Sequence, residues 1–301
     1  MAAYGQITTD ASGGIDTLIP DLVIPQIVAS ATSQEVLMPL VDRHDFTGQG
    51  ANFALPSAPS MSFASYAADG TQPDEVAFDT GSRTFTPAQR QLDVVVALKA
   101  LRDSPVSVSD AVAIEVAAAL ADDRDTQCLT DLYPEAPSTT PDHEIGVDAT
   151  ILSFATLRSA QALLHGQKAR KRFSWVMHTD QLAELLQDTV FIDASVKGSP
   201  VLTQGVGANG FATQVMDVDI FVSADVVESS GRHSIMFAPG AIGYGFKRLA
   251  PPGNENAQEI MFDNYWNSKR RAYEISVTYE GHFEGQRDTA TTNKWIVDII
   301  S

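Results

Sequence analysis

Residues 47–99 read TGQGANFALPSAPSMSFASYAADGTQPDEVAFDTGSRTFTPAQRQLDVVVALK, a long run of strand and turn signals without helical periodicity. The valine-rich segment 91–98 is the part most typical of a strand. A two-stranded excursion of this length does not stabilise itself in water, and so long an insertion in a compact domain usually has a function. We therefore expect it to lie on a neighbouring molecule, which indicates assembly rather than chemistry.

Charge is distributed unevenly along the 301 residues, whose formal net charge is −18. Residues 1–100 hold 11 acidic and 4 basic side chains, residues 101–150 hold 11 and 2, and residues 151–301 hold 16 and 14. This balance argues against tight, sequence-independent binding of nucleic acid, which needs basic groups on phosphates. It is compatible with a wall that surrounds nucleic acid without gripping it, and equally with an ordinary soluble acidic protein.

Cys128 is the only cysteine, so one chain has neither a disulfide framework nor a thiolate metal site. No segment reaches the roughly 18 apolar residues that a membrane-spanning helix needs, and the N-terminus lacks a signal-peptide pattern. We expect the protein to be made and used in the cytosol.

Motifs that would indicate an enzyme are weak. The six histidines show no metal-binding spacing, and the sequence has neither a nucleophile elbow nor a phosphate-binding P-loop. Residues 205–210 match G-x-G-x-x-G, but residues 214–222 are predicted to form a strand, where a dinucleotide site needs a helix. The sequence therefore predicts no catalytic, cofactor-binding or metal-binding residues, although a triad assembled only in three dimensions stays open.

The clearest helix is predicted over 107–132. Val112, Val116 and Leu120 recur at helical spacing, and 25 residues from Val108 would span about 37 Å. The acidic residues of its second half are expected on solvent-exposed faces; they are Asp122, Asp123 and Asp125.

The segments before and after this helix differ in predicted secondary structure. Residues 1–46 are predicted to form an extended arm, and residues 51–66 and 82–99 two long strands. After a proline-rich link at 134–141, compact α/β patterns begin with a helix that Ser153 caps and Gly166 ends. A last alternating strand is predicted over 272–283.

Two basic runs occupy 168–172 and 269–271. The first follows a helix C-terminus, where cations suit the helix dipole, so a local role is one interpretation. The alternatives are contact with nucleic acid or with the acidic first half of another copy, and for the latter Lys171 and Arg172 are the candidate residues.

The order of these pieces resembles that of the major capsid proteins of tailed double-stranded DNA bacteriophages, which have the Hong Kong 97-type fold. Residues 175–180 resemble the family's strand-to-helix segment, 216–223 the strand after its glycine loop, and 235–244 the hydrophobic strand and turn that follow. The resemblance implies an α+β fold in four parts. They are an N-terminal arm (1–46), an extended two-stranded loop (47–99), a peripheral domain with a spine helix at 107–132 (100–147 and 266–301) and an axial domain (148–265).

The resemblance also implies a function: many copies form the icosahedral shell, or head, of a virion that encloses double-stranded DNA without reading its sequence. The implied partners are other copies of the chain, arranged as pentamers and hexamers, together with a separate scaffolding protein and a portal. Whether a cement protein also binds is left open. Assembly would take place in the host cytoplasm, with no enzymatic activity, cofactor, metal or membrane. The alternatives are an encapsulin-like nanocompartment shell of the same fold and, in another class, a soluble α/β enzyme.

The extended loop is expected to lie across the spine helix of a neighbouring subunit. Arg83 and Arg90 on the loop are the candidates to meet Asp122 and Asp123 of that helix. The family's self-crosslinking members need a lysine in this loop, and residues 47–98 contain none. We therefore expect the loop to hold by contact and charge rather than by a covalent bond.

Overall fold

The fold consists of two mixed sheets, a small hairpin and three α-helices in the part of the chain that the computed structural model describes. The described residues are 35–48, 52–57, 81–97, 99, 108–132, 144–147, 151–169, 172–188, 211–215, 217–226, 231–250, 258–286 and 295–301. The helices are α1 (Val108–Leu132), α2 (Phe154–Gly166) and α3 (Thr179–Leu185). The predicted spine helix is confirmed as α1 to within one residue.

The first sheet is built around one long strand, β12 (Ala272–Gly285). Along one edge it pairs antiparallel with β4 (Ala88–Ala97). Along the other it pairs in succession with β11 (Ile260–Asn267) and β10 (Ile242–Lys247), and β10 then pairs in parallel with β1 (Asp42–Asp45). The alternating strand predicted over 272–283 is confirmed as β12, and its residues Ile275, Val277 and Tyr279 lie in a hydrophobic cluster with α1.

The second sheet has six strands, which lie in the order β5, β13, β9, β6, β8, β7. Their bounds are β5 (Glu144–Gly146), β6 (Phe173–Met177), β7 (Phe211–Val215), β8 (Val218–Val222), β9 (His233–Phe237) and β13 (Ile296–Ile300). Helix α2 buries Leu157, Ala160 and Leu164 in the hydrophobic cluster of this sheet, as its sequence spacing predicted. Helix α3 begins with a capping box, in which His178 accepts from the Asp180 N–H and Gln181 accepts from the His178 N–H.

Helix α1 contributes to both hydrophobic clusters. In its first half, Val116, Ala117 and Leu120 pack with β12. In its second half, Cys128 and Leu129 are buried in the cluster of the six-stranded sheet. The helix therefore joins the two sheets along its length.

The hairpin of β2 (Phe53–Ser57) and β3 (Gly81–Phe85) has its own small aromatic cluster, which we call the loop seat: Phe46, Phe53 and Phe85. The rings of Phe46 and Phe53 stack with centroids 4.4 Å apart. The floor of the seat is Gly245, where an added Cβ would lie 2.6 Å from the Phe46 ring and 2.8 Å from the Phe85 ring. Only a glycine lets the two rings approach this closely.

Several predicted boundaries are wrong. Residues 35–46, assigned to the arm, belong to the folded body, because Leu37 and Met38 are buried and β1 pairs in the first sheet. The predicted strand 82–99 is divided into β3 and β4, and β4 is a full member of that sheet because Val94 and Val96 face inward. The predicted strand at 214–222 is a hairpin that turns at Asp217, whose φ is +66°. The glycine motif 205–210 and residues 58–66 lie outside the described residues.

Sheet membership also crosses the predicted domain boundary at 265/266. Strand β10 was assigned to the axial domain but pairs with β12, and β13 was assigned to the peripheral domain but pairs with β9. Two contiguous domains would keep β10 with the six-stranded sheet and β13 with the five-stranded sheet. The chain instead crosses between the sheets more than once, because each strand pairs where its side chains are buried and its register fits.

Candidate assembly surface

The surface between β4 and α1 is the face for which loop-to-helix contacts were predicted. It forms an open groove of about 550 Å³, whose lining includes Leu92, Leu120, Asp122, Asp123 and Tyr279. Apolar side chains from both elements line the groove, together with the carboxylates of Asp122 and Asp123.

Arg90 and Asp123 contact each other within one chain. The Arg90 Nη1 donates to Asp123 Oδ1 at 2.6 Å, and Arg90 also bonds to Gln127. On its other side Asp123 accepts from the Tyr279 hydroxyl at 2.6 Å. Burial, helped by this bond, raises the pKa of Tyr279, so the phenol stays protonated and can donate. The pairing of Arg90 with a neighbouring subunit stays a prediction, because in the single chain Arg90 pairs with Asp123 of its own α1.

The other predicted contact residues are separate from this groove. Arg172 lies just before β6 with a φ of +73°, and its Nε donates to Asp219 Oδ2 at 2.9 Å. Lys171 and the side chain of Arg83 lie outside the described residues. The structure thus brings together Arg90, Asp122 and Asp123, and places Arg172 on the six-stranded sheet.

Helix α1 carries a buried ionic group that the sequence did not indicate. Arg124 is 4% exposed and donates to Glu35 Oε1 at 2.9 Å and to Glu259 Oε1 at 2.7 Å. Its guanidinium also lies over the rings of Tyr244 and Tyr279. An arginine between aspartates in a helix is typical of a solvated face, so no sequence signal distinguished it.

Asp125 was expected on an exposed face of α1, and this expectation is wrong. Its side chain is buried, and it accepts hydrogen bonds from the backbone N–H groups of Val36 at 2.8 Å and Leu37 at 3.1 Å. The reason is that residues 35–37 cross the helix here and bring unpaired donors with them. The carboxylate therefore fixes the N-terminal end of the described chain to α1.

A second carboxyl group with a raised pKa lies where α1 meets the loop after β8. Asp225, in that loop, accepts a hydrogen bond from the Ser223 hydroxyl at 3.3 Å and lies near Asp122 of α1. Burial, and then the neighbouring Asp122, raise the pKa of Asp225 to about 6. Burial also raises the pKa of Asp125 to about 6, although the hydrogen bonds from Val36 and Leu37 act in the opposite direction.

These raised pKa values predict a pH dependence. A carboxyl group whose folded-state pKa lies above its unfolded value contributes stability that is fully present below about pH 4 and is lost as the pH rises through about 6. We expect wild type to lose about 1.4 kcal/mol more than Asp125→Asn between pH 5.0 and 7.5, measured by urea unfolding. As a control, Asp93→Asn removes an exposed carboxylate whose hydrogen bond from Gln91 lowers its pKa, so it should not flatten the curve. If the free energies of unfolding of wild type and Asp125→Asn changed equally with pH, the raised pKa of Asp125 would be contradicted.

A buried histidine and carboxylate bear on the enzyme alternative. His233 Nδ1 lies 2.8 Å from Asp298 Oδ2 inside the six-stranded sheet. The neighbouring Ser234 hydroxyl accepts from Trp175 Nε1 at 3.1 Å and donates to the Ile299 carbonyl at 3.0 Å. These bonds tie adjacent strands together, so the group has a structural role. Among the described residues, no three side chains of His, Cys, Asp or Glu are placed to hold a metal ion, and no helix is long and apolar enough to cross a membrane.

Comparison with known proteins finds similarity in structure alone. The sequence matches no family model, and no curated protein matches it in sequence. Among solved structures, the chain is similar to the capsid of Ralstonia phage GP4, with a TM-score of 0.60 and 10% identity over 86% of each chain. It is also similar to the virus-like particle from Pyrococcus furiosus, with a TM-score of 0.57 and 11% identity over 91% of this chain and 96% of that one.

An encapsulin gives a match of similar quality. The holo-SrpI encapsulin complex from Synechococcus elongatus has a TM-score of 0.57 and 10% identity, over 100% of this chain and 92% of that one. The chain therefore has the α+β fold of these capsid and encapsulin proteins. This confirms the capsid-type fold expected from the sequence.

Proposed function

We propose that this chain is the major capsid protein of a tailed double-stranded DNA bacteriophage, and that many copies form the icosahedral shell around the genome. The observation that supports this most is the match in fold to phage capsid subunits over nearly the whole of both chains. The chain's net charge of −18 suits a wall that encloses DNA without binding it tightly. The protein then acts by geometry, without catalysis.

In this proposal each subunit holds several neighbours. The loop between β2 and β3 contacts an adjacent copy, and residues N-terminal to 35 contact another. Each contact is weak, but a closed shell presents many of them at high effective concentration. Pentamers, hexamers, a separate scaffolding protein and a portal belong to the same proposal, with a cement protein left open. The product is a virion assembled in the host cytoplasm.

Electron microscopy of the purified protein tests the proposal, with a loop deletion as the informative variant. Ser57 and Gly81 are paired neighbours in the hairpin, so an Asn-Gly turn can replace residues 58–80 without straining β2 or β3. We expect wild type to form uniform shells and the deletion variant to remain a folded monomer with unchanged circular dichroism. A wild type that stays monomeric with the other capsid components present would contradict the proposal.

An encapsulin-like nanocompartment is the second candidate, favoured by the encapsulin match that covers the whole of this chain. The contents of shells purified from the native source distinguish the two. Double-stranded DNA protected from nuclease supports the capsid, and a single co-purifying cargo enzyme supports the nanocompartment.

A further inference from the structure

Residues 35–41, which we call the strap, lie against the second half of α1. The strap contains one turn of 3-10 helix (Met38–Leu40) and no strand, and β1 begins directly after it. Leu37 and Met38 are buried in the hydrophobic cluster that also contains Cys128 and Leu129 of α1. The strap is therefore held to the body by side-chain contacts rather than as a member of a sheet.

Two neighbouring side chains of α1 make the polar contacts with the start of the strap. Asp125 accepts from the backbone N–H groups of Val36 at 2.8 Å and Leu37 at 3.1 Å. Arg124 donates to Glu35 Oε1 at 2.9 Å. Three consecutive strap residues thus depend on adjacent positions of one helix.

The charges in this contact do not balance. Arg124 pairs with both Glu35 and Glu259, and Arg43 pairs with Glu259 as well. Within the described part of the chain, no Lys, Arg or His forms an ion pair with Asp125, which is 3% exposed. An ionised Asp125 is therefore a buried negative charge close to Glu35 and without a cation of its own, which is unfavourable.

The other titratable groups near Asp125 are acids too. Asp225 and Glu35 both add to the effect of burial, which raises the pKa of Asp125 to about 6 against the two backbone hydrogen bonds. Asp225 in turn lies near Asp122 of α1. Cys128 is buried, which raises its pKa, so the thiol stays protonated and contributes no charge.

The sign of the pH dependence follows from this environment. When the strap is detached, water reaches Asp125 and its pKa returns toward the ordinary value of 3.8. The proton then stabilises the closed strap fully below about pH 4, and this stabilisation is lost as the pH rises through about 6.

We propose that the strap is a pH-controlled latch, which α1 holds more tightly while Asp125 is protonated and less tightly once that proton is lost. The latch operates within one subunit and is independent of the proposed assembly function. Residues 1–34 join the body through the strap, so opening of the latch changes where that part of the chain is tethered.

Cys128, the only cysteine, serves as a native reporter of the latch. It is fully buried, lies one turn after Asp125 on α1 and shares a cluster with Leu37 and Met38. The full-length soluble subunit is treated with a thiol reagent at pH 5.0 and 7.5. Dividing each labelling rate by that of the urea-unfolded chain at the same pH gives the fraction of subunits in which Cys128 is accessible.

We expect this accessible fraction to rise about ten-fold in wild type between pH 5.0 and 7.5. In Asp125→Asn it should be higher at both pH values, because one of the two acceptor oxygens is lost, but should change by less than about two-fold. Asp123→Asn is the matched control on the same helix and should keep the ten-fold change. Equal changes in wild type and Asp125→Asn would overturn the proposal.

A strap variant shows whether the opening is local. Leu37→Ala leaves Asp125 in place and should raise the accessible fraction about 30-fold or more at both pH values, because it removes a buried side chain from the strap. Unchanged labelling of Leu37→Ala would mean that the strap does not cover Cys128. In wild type the accessible fraction should exceed the globally unfolded fraction, measured by urea unfolding, at least ten-fold at pH 7.5. Equal fractions would mean that Cys128 reacts only in the unfolded chain, and either result would overturn the proposal.

Discussion

Replacing Arg124 with alanine is expected to lower the free energy of unfolding by about 3–5 kcal/mol. Arg124 is buried, contacts the rings of Tyr244 and Tyr279, and pairs with Glu35 and Glu259. Its removal leaves the Glu35 carboxylate, which is 5% exposed, without its cationic partner. Denaturant unfolding of the soluble subunit measures the loss.

Two comparisons separate the buried ion pair from the loss of side-chain volume. Arg90→Ala removes an exposed pair with Asp123 on the same helix and should cost no more than about 1 kcal/mol. Glu35→Gln combined with Arg124→Met removes both charges while keeping much of the volume, and should be less harmful than Arg124→Ala alone. If the double variant were as unstable as Arg124→Ala, the unpaired carboxylate would not be the cause.

Phe85→Ala is expected to release the hairpin of β2 and β3 from the sheet. Phe85 is fully buried in the loop seat, and truncation of a buried phenylalanine costs about 3–5 kcal/mol. A two-stranded hairpin has little stability of its own, so the loss should be local. Amide hydrogen exchange should show protection in β2 and β3 falling by about 100-fold or more, while β6 and β9 keep theirs. An equal fall in β6 and β9 would mean that Phe85 supports the whole fold.

The glycine below the seat allows a matched pair of variants. Gly245→Ala would place a methyl group against the Phe46 and Phe85 rings, so its exchange pattern should resemble that of Phe85→Ala. Gly166→Ala makes the same chemical change at the end of α2, where an added Cβ has no atom within 4 Å. Only the first should expose the hairpin.

The sequence predicted those elements whose periodicity is set by a single buried face. In α1, Val116 and Leu120 recur at helical spacing and are buried, and in β12 the alternation of Ile275, Val277 and Tyr279 matches the face that meets the helix. For both elements, burial follows the local pattern closely enough for one sequence to reveal it.

What the sequence did not predict depends on pairs of distant residues. Asp125 is buried because residues 35–37 bring backbone donors to it across 88 or 89 positions of the chain. Arg90 pairs with Asp123 across 33 positions, which a loop-to-neighbour hypothesis could not anticipate. Strands β10 and β13 exchange sheets relative to the predicted domains. No local sequence pattern predicts such contacts, because they form only when distant parts of the chain come together in the fold.

Helix α1 belongs to both hydrophobic clusters, and this has a mechanical consequence. This 25-residue helix runs through both halves of the subunit, and the Asp125 carboxyl group holds it to residues 35–37. Bending the subunit between its two sheets would therefore have to break α1 or expose its buried side chains. If copies of this chain form a shell, as proposed, we expect the shell to change shape by movement between subunits rather than within them.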